Sequence, residues 1–333
     1  MKTYATISDD PPVSSDAETP SIRTINVRVK SITWECARAL SLVLIPSDSR
    51  PLPPFDPGAH IDVQIPCGPT RQYSLCGAFS DTTYYRIAVR EIPGGVASEF
   101  FHRRIRVGDL LAISPPRNNF RFKLAPKYLF IAGGIGITPL LPMMHSATCH
   151  DADWTLRYCI PRLEETPFLN EINALRGRVL LHTSERHSRL NVCGALGDFT
   201  PDTLVYCCGP DRLMEAVKSA TAGWPKNMVN YEWFKPQSSQ ADAVPSSIKV
   251  ICERSNKIVE VAHDQTILAA LIAAGIDVPK SCEQGICGTC ELGVLKGEVD
   301  HSDSTLSPSE RLANSTMMVC VSRAKGSTLV LDI

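Results

Sequence analysis

The segment Ser281-Cys-Glu-Gln-Gly-Ile-Cys-Gly-Thr-Cys290 carries three cysteines in C-x4-C-x2-C spacing, and Cys320 follows after 29 further residues. Three thiols from one short loop and a fourth from far along the chain is the spacing of plant-type [2Fe–2S] sites. Such a site needs four thiolates around two irons, and a backbone that wraps tightly enough to aim N–H groups at sulfur. Gly285 and Gly288 suit that wrap, because glycine enters positive-φ conformations without a Cβ clash. Hydrogen bonds to the sulfurs then help set the potential. A structural zinc is the rival use of four cysteines. Zinc sites, however, commonly show two separated C-x2-C knuckles, whereas here one knuckle is extended by an x4 arm. Free core thiols are a third reading. The spacing and the glycines together favour the cluster, with Cys282, Cys287, Cys290 and Cys320 as its metal ligands.

The rest of the composition agrees with an intracellular redox protein. Thirteen cysteines is an odd number, scattered without pairing logic, which argues against a secreted disulfide framework. Cysteines outside the loop, such as Cys159 and Cys207, read as reduced small hydrophobes on strands. A net charge of −1 gives no sign of nucleic-acid binding or a polybasic membrane anchor. The longest apolar run, Tyr128 to Ile137, is too short and too glycine-rich to span a bilayer. The first twenty residues, rich in Ser, Asp, Thr and Pro, lack a signal-peptide core and read as a disordered tail. A cytoplasmic location follows as the expectation.

Three patterns succeed one another after that tail. Residues 21–123 show short β-like runs (Ile25–Ile32, Ala39–Ile45, His60–Ile65, Gln72–Leu75, Tyr85–Val89) between Pro, Gly and Asp turns, as in an antiparallel barrel. Residues 124–235 alternate apolar strands (Tyr128–Ala132, Thr155–Ile160, Val179–His182, Leu204–Cys208) with helical stretches (Pro139–Ser146, Pro167–Leu175, Asp211–Ala220). That alternation predicts a doubly wound α/β domain. Residues 236–247 are polar, bracketed by Pro236 and Pro245, and read as a linker. Fully extended it spans at most about 40 Å, and as a coil roughly 20 Å, so a tethered third module can dock near the middle of the molecule. From 248 to 333 come two strands (Ile248–Glu253, Lys257–Val261), a helix (Thr266–Ala274) and the cysteine loop.

Lys127-Tyr-Leu-Phe-Ile-Ala-Gly-Gly-Ile-Gly-Ile-Thr-Pro139 reads as strand, glycine turn and helix start, with Thr138 as N-cap and Pro139 as the first helical residue. A helix N-terminus offers free N–H groups and a positive dipole end to a pyrophosphate. The glycines at 133, 134 and 136 are not the G-x-G-x-x-G fingerprint, and alone they fit an ordinary β-α turn. Tyr206-Cys-Cys-Gly-Pro210 ends the last predicted strand at the same sheet edge, where open α/β sheets bind ligands. The pair favours a dinucleotide. Beyond Val179–His182, the stretch Thr183-Ser-Glu-Arg-His-Ser-Arg189 offers both an acid and arginines near the expected adenosine ribose, so NADH and NADPH both stay open.

These motifs, in this order, resemble the phthalate dioxygenase reductase family, which includes the reductases of Rieske-type aromatic dioxygenases and O-demethylases. The resemblance spans nearly the whole chain after residue 20. It implies a multidomain α+β architecture: an antiparallel flavin-binding β-barrel, a doubly wound α/β nicotinamide-binding domain and a C-terminal β-grasp plant-type ferredoxin. The flavin it implies is FMN. Arg71-Gln-Tyr-Ser-Leu75 matches the family's R-x-Y-S-L motif, which puts Tyr73 and Ser74 against the isoalloxazine, Leu75 beside them and Arg71 on the flavin phosphate. A guanidinium fork suits a phosphate. Ala88 and Val89 in Tyr85-Arg-Ile-Ala-Val-Arg90, then Gly95 and Ser98, resemble the next flavin-binding segments. Arg117-Asn-Asn-Phe120 resembles the signature at the barrel's end. Gly133, Gly134, Gly136 and Thr138 match the family's pyrophosphate and nicotinamide loop, and Cys208, Gly209 and Pro210 its nicotinamide turn. Ser184 and Arg186 are the candidates at the ribose end. Phe234, in Tyr231-Glu-Trp-Phe234, is the candidate cover for the flavin face. Glu298-Val-Asp-His-Ser-Asp-Ser304 and Cys320-Val-Ser-Arg-Ala-Lys325 look like the demethylase-reductase branch.

The function implied is a relay in which a nicotinamide hydride enters the flavin and single electrons leave through the cluster. Ser74, Thr138 and Cys208 are the residues expected beside the reacting atoms. No acid–base histidine is required, and most histidines are expected in surface or loop positions. The chain lacks a C-x-H…C-x2-H Rieske pattern, so the acceptor is expected to be a separate terminal oxygenase, served by a monomeric reductase. An FAD-containing reductase for another oxygenase, a redox-sensing iron–sulfur module and a zinc-stabilised interaction protein are the alternatives.

Overall fold

Strand formation at the start of the chain follows from β-branched residues at alternate positions. In the computed structural model, which describes residues 24–333 apart from 49, 67, 186–189, 198–199, 226 and 235–246, six strands pair antiparallel in the order β4-β3-β6-β1-β2-β5. They are β1 (Ile25–Cys36), β2 (Ala39–Pro46), β3 (His60–Gln64), β4 (Thr70–Ser74), β5 (Tyr85–Arg90) and β6 (Leu110–Ile113). Beyond β4 the chain donates Leu75 N–H to Ala59 O (2.8 Å) and Cys76 N–H to Arg86 O (2.8 Å), so the end of β4 meets the far edge strand β5. That closure leaves Val27, Val29, Leu42, Leu44, Ile61, Val63, Leu75 and Ile87 in a single interior core. The expected strands are present. β6 was not expected from the sequence, because four residues carry too little periodicity to read.

The second unit is a five-stranded parallel sheet, order β11-β10-β7-β8-β9, from β7 (Lys127–Gly133), β8 (Asp153–Ile160), β9 (Arg178–Thr183), β10 (Thr203–Cys208) and β11 (Val229–Glu232). Successive residues of β7 face opposite cores. Tyr128, Phe130 and Ala132 pack with helices Ile137–Cys149 and Leu169–Asn173. Leu129 and Ile131 pack with helix Asp211–Ala220. A strand buried on both faces has to be apolar throughout, which is why β7 reads as an unbroken run. The strand order reverses between β7 and β10, the place where such sheets open a ligand crevice at their carboxyl ends.

The third unit is a mixed sheet, order β13-β12-β18-β14-β16, from β12 (Ser247–Cys252), β13 (Lys257–Ala262), β14 (Glu291–Lys296), β16 (Thr316–Met318) and β18 (Thr328–Leu331); β15 (Val299–Asp300) pairs with β17 (Arg323–Ala324). β12 and β18 run parallel, and helix Ile267–Ala273 supplies Ile267, Leu268, Ala270 and Leu271 to the core beneath. Thr266 caps that helix by accepting from Ala269 N–H (3.1 Å). The cysteine loop spans the interval between this helix and β14. The expected tail and nearly all of the expected linker lie outside the described residues, and among the described residues no helix is long and apolar enough to cross a membrane.

Candidate active site

One cavity of about 560 Å³ is walled by all three units. β4 contributes Arg71, Gln72, Tyr73 and Ser74, β5 contributes Ala88, Val89 and Arg90, and the turn after β5 adds Gly95 and Ser98. The parallel sheet adds Ile135, Thr138 and the segment Tyr231–Phe234, and the third unit adds Cys282, Gln284 and Thr305. Of the flavin candidates, Arg71, Tyr73, Ser74, Ala88, Val89, Gly95 and Ser98 from the barrel and Phe234 from the second unit thus line one cavity. Leu75 does not: it is fully buried in the barrel core, its N–H spent on Ala59 O. The Ser98 hydroxyl is also committed, donating to Ile92 O (3.0 Å) and Gly95 O (2.9 Å) and accepting from Ile92 N–H (3.1 Å), so it shapes the turn. Tyr73 is held edge-on by Phe101, with centroids 5.3 Å apart.

Two polar side chains in this wall were not singled out by sequence. Glu232, at the carboxyl end of β11, interacts with the Ser74 hydroxyl, while its Oε2 is sealed from solvent without a hydrogen-bond partner. Burial pushes its carboxyl up to about 8, against the opposing hydrogen bond from Ser74. The proton-bearing acid is thus the favoured form at neutral pH. His60, on β3, is buried and its Nε2 lacks a partner. Burial and the nearby Arg117 charge lower it to about 4, so the ring is neutral. His60 is thus a buried exception to the expectation that most histidines lie in surface or loop positions. A buried orphan acceptor or donor facing a cavity is the mark of a ring system with polar edges, and the aromatic and aliphatic walls supply the faces. These residues fit a flavin.

A smaller groove of about 220 Å³ continues from this cavity across the carboxyl ends of the parallel strands. Gly133, Gly134, Ser184 and Pro210 line it, with Arg38 from the barrel, and Arg90 and Ile135 line both spaces. Arg38 and Arg90 reach it because β2 and β5 pair in the register Ala39↔Arg90. The glycines divide by role. A Cβ on Gly133 would sit 2.4 Å from Pro210 Cδ, and one on Gly136 would sit 2.3 Å from Cys208 O. Those two, with Gly209, let the loops after β7 and β10 pack together. Gly134, at φ +53°, faces open space. Cys208 is fully buried and lines neither space, its thiol pushed up by burial and by Glu232. Thr138 is not the N-cap. Gly134–Gly136 tighten into a 3-10 turn, Gly136 precedes the helix, and the Thr138 hydroxyl donates to Ile135 O (2.9 Å). Arg186 and Arg189 lie outside the described residues.

The cysteine loop winds through three left-handed residues, Glu283, Gly285 and Gly288 (φ +53°, +68° and +77°). That path turns Gln284 N–H toward Cys282 Sγ (3.3 Å) and Thr289 N–H toward Cys287 Sγ (3.4 Å). A Cβ on Gly285 would meet Val321 Cγ2 at 2.5 Å, so the loop lies flat on the Cys320 strand turn only with glycine there. All four thiols are buried. They face one another in two pairs: Cys287, lowered to about 5 by the Cys282 hydrogen bond, and Cys290, lowered by Cys320. Four buried thiols on a loop whose N–H groups turn toward sulfur fit the ligand set of a two-iron cluster.

Residues 250–325 match the model of the 2Fe-2S iron-sulfur cluster binding domain family. The chain is 39% identical over 318 residues to the carnitine monooxygenase reductase subunit of Escherichia coli (strain K12), covering 92% of this chain and 96% of that protein. The crystal structure of an intact type IV self-sufficient cytochrome P450 monooxygenase superposes with a TM-score of 0.83 at 37% identity, over 93% of this chain and 41% of that one. Phthalate dioxygenase reductase, described as a modular structure for electron transfer from pyridine nucleotides to [2Fe–2S], superposes with a TM-score of 0.69 at 32% identity, over 93% of this chain and 98% of that one. With the same three modules in the same order, the chain belongs to the phthalate dioxygenase reductase family and is an oxidoreductase.

Proposed function

We propose that the chain takes reducing equivalents from NADH into a bound FMN and forwards them through its [2Fe–2S] cluster to a separate Rieske-type oxygenase. The observation that carries this reading is the shared cavity: a flavin wall, the carboxyl edge of a dinucleotide sheet and the cluster ligand Cys282 bound one space. A flavin supplies the exchange between two-electron hydride chemistry and one-electron delivery. The chain's own residues do the positioning. Tyr73, Ala88 and Val89 offer a flat apolar bed, and Arg71 a guanidinium for a phosphate. Ser74 and protonated Glu232 stand ready to donate or hold a proton at the flavin's polar edge. Arg90 and Ile135 mark where a nicotinamide entering along the groove would meet that edge. The third unit brings Cys282, Gln284 and Thr305 to the same space, beside the flavin candidates.

The domain limits that go with this reading are 21–123, 124–235 and 248–333, supported by the separate cores of the three sheets, and the working form is read as a cytoplasmic monomer. A haem oxygenase acceptor is the second reading, favoured by the likeness to a self-sufficient P450. Mass analysis of the extracted flavin tests FMN directly, and finding FAD would refute that choice. Product formation with a Rieske oxygenase, with NADH more effective than NADPH, tests the rest. Delivery to a P450 haem but not to a Rieske centre would refute the acceptor.

A further inference from the structure

Asp62 of β3 is only 5% exposed, yet no flavin or nucleotide candidate uses it. Its backbone is fixed on both sides, by Ser114 Oγ (3.0 Å) to Asp62 N–H and by Ser114 N–H to Asp62 O (3.0 Å). Oδ1 accepts from Arg117 Nη2 (2.5 Å) and Gln72 Nε2 (3.1 Å), both barrel residues. Oδ2 accepts from the hydroxyl of Ser281, 219 residues along the chain and next to the ligand Cys282. A second tie runs the same way: Asn119 Nδ2 donates to the carbonyl of the ligand Cys287 (3.5 Å). Both bonds join the barrel to the cysteine loop. The third unit's core contains no residue of the other two, so apolar packing does not fuse it to them.

We propose that Asp62 is a positioning residue: its buried carboxylate, oriented by Arg117 and Gln72, latches the cysteine loop to the flavin barrel through Ser281. A charged acceptor makes this bond stronger and more directional than a neutral one. The arrangement fixes Cys282 in the wall of the cavity, where a displacement of about 1 Å can cost on the order of a hundredfold in rate. The inference rests on the flavin reading of that cavity for its kinetic consequence, but not for the latch itself.

The test uses full-length holoprotein carrying Ser281→Ala or Asp62→Asn, the first leaving Asp62 with both barrel partners. Two readouts are taken: amide deuterium exchange in residues 281–290, and the rates at which NADH bleaches the flavin and then the cluster bands. Loss of a hydrogen bond to a charged group predicts exchange and cluster bleaching altered by about tenfold: exchange faster, one-electron reduction of the cluster slower. Flavin bleaching stays within about twofold of the unsubstituted protein, since neither residue lines the nucleotide groove. Exchange and cluster bleaching both unchanged in Ser281→Ala would overturn the proposal. So would loss of iron from Ser281→Ala, which would make the serine part of the cluster cradle. If NADH fails to bleach even the unsubstituted protein, the functional reading falls, and the exchange result still decides the latch.

Discussion

The barrel and the parallel sheet are joined by a pair that can be costed. Arg86 of β5 donates to both carboxylate oxygens of Glu171, Nη1 to Oε2 at 2.9 Å and Nη2 to Oε1 at 2.8 Å. His145 Nε2 lies 3.1 Å from Oε1. Burial works to raise the Glu171 carboxyl, but hydrogen bonds from His145 and Arg86 and the Arg86 charge overcome it and hold it at about 2, against an ordinary 4.5. At about 1.36 kcal/mol per pH unit that gap is worth roughly 3.4 kcal/mol. The side chains are 20% and 30% exposed, so water screens part of it and about 2 kcal/mol is the working figure. Glu171→Gln should therefore lower the free energy of the first unfolding transition in urea by about 2 kcal/mol at pH 7. Because the folded pKa is depressed, this stability is present above pH 4.5 and lost as pH falls through 2, so the difference from the unsubstituted protein should close over that window. A cycle with Arg86→Met should give a coupling of about 2 kcal/mol. The Arg86 variant alone loses more, since it also strands the Cys76 carbonyl and removes a cation from over the Phe168 ring (5.1 Å). A difference that stays flat from pH 7 to 2, or a coupling below about 0.5 kcal/mol, would refute the reasoning.

Other consequences follow from the site. Glu232 is raised, so the folded chain keeps a proton that the unfolded chain loses between pH 4.5 and 8, and stability should fall with rising pH across that range. Thermal midpoints of flavin-free Glu232→Gln should exceed those of the unsubstituted chain by more at pH 8 than at pH 5; the reverse order would contradict the assignment. Gly136→Ala forces a Cβ to 2.3 Å from Cys208 O and should cost several kcal/mol by urea unfolding, against about 1 kcal/mol for Gly134→Ala, which meets only its positive φ. Arg90→Ala should raise the KM for the reduced nucleotide about tenfold with a smaller change in kcat; an unchanged KM would remove Arg90 from the nucleotide path.

The 2Fe-2S domain was legible because its chemistry is written in spacing: four cysteines and two glycines leave little freedom to the loop. The parallel sheet was legible because β7 must be apolar on both faces. What escaped the sequence depends on contacts that only the fold creates. β11 is half-buried throughout and has no apolar run, so Glu232 looked like one acid among aromatics, and only its seat against Ser74 marks it. Arg38 and Arg90 enter the groove at the carboxyl edge of the parallel sheet through the pairing of β2 with β5, which no local motif encodes. Thr138 was misread because a Thr-Pro pair looks like a helix start, while the preceding glycines tighten the turn and start the helix earlier. Leu75 belongs to the R-x-Y-S-L motif yet points into the core, as a residue one past a strand end can.

The most direct test of the account is an anaerobic titration of the purified protein with NADH, followed by visible and low-temperature electron paramagnetic resonance spectra. The account predicts bleaching of a flavin band together with appearance of a reduced [2Fe–2S] signal, and loss of that signal alone when Cys290 is replaced by serine. A flavin that bleaches while the intact cluster stays oxidised, or a protein that binds zinc and no iron, would contradict it.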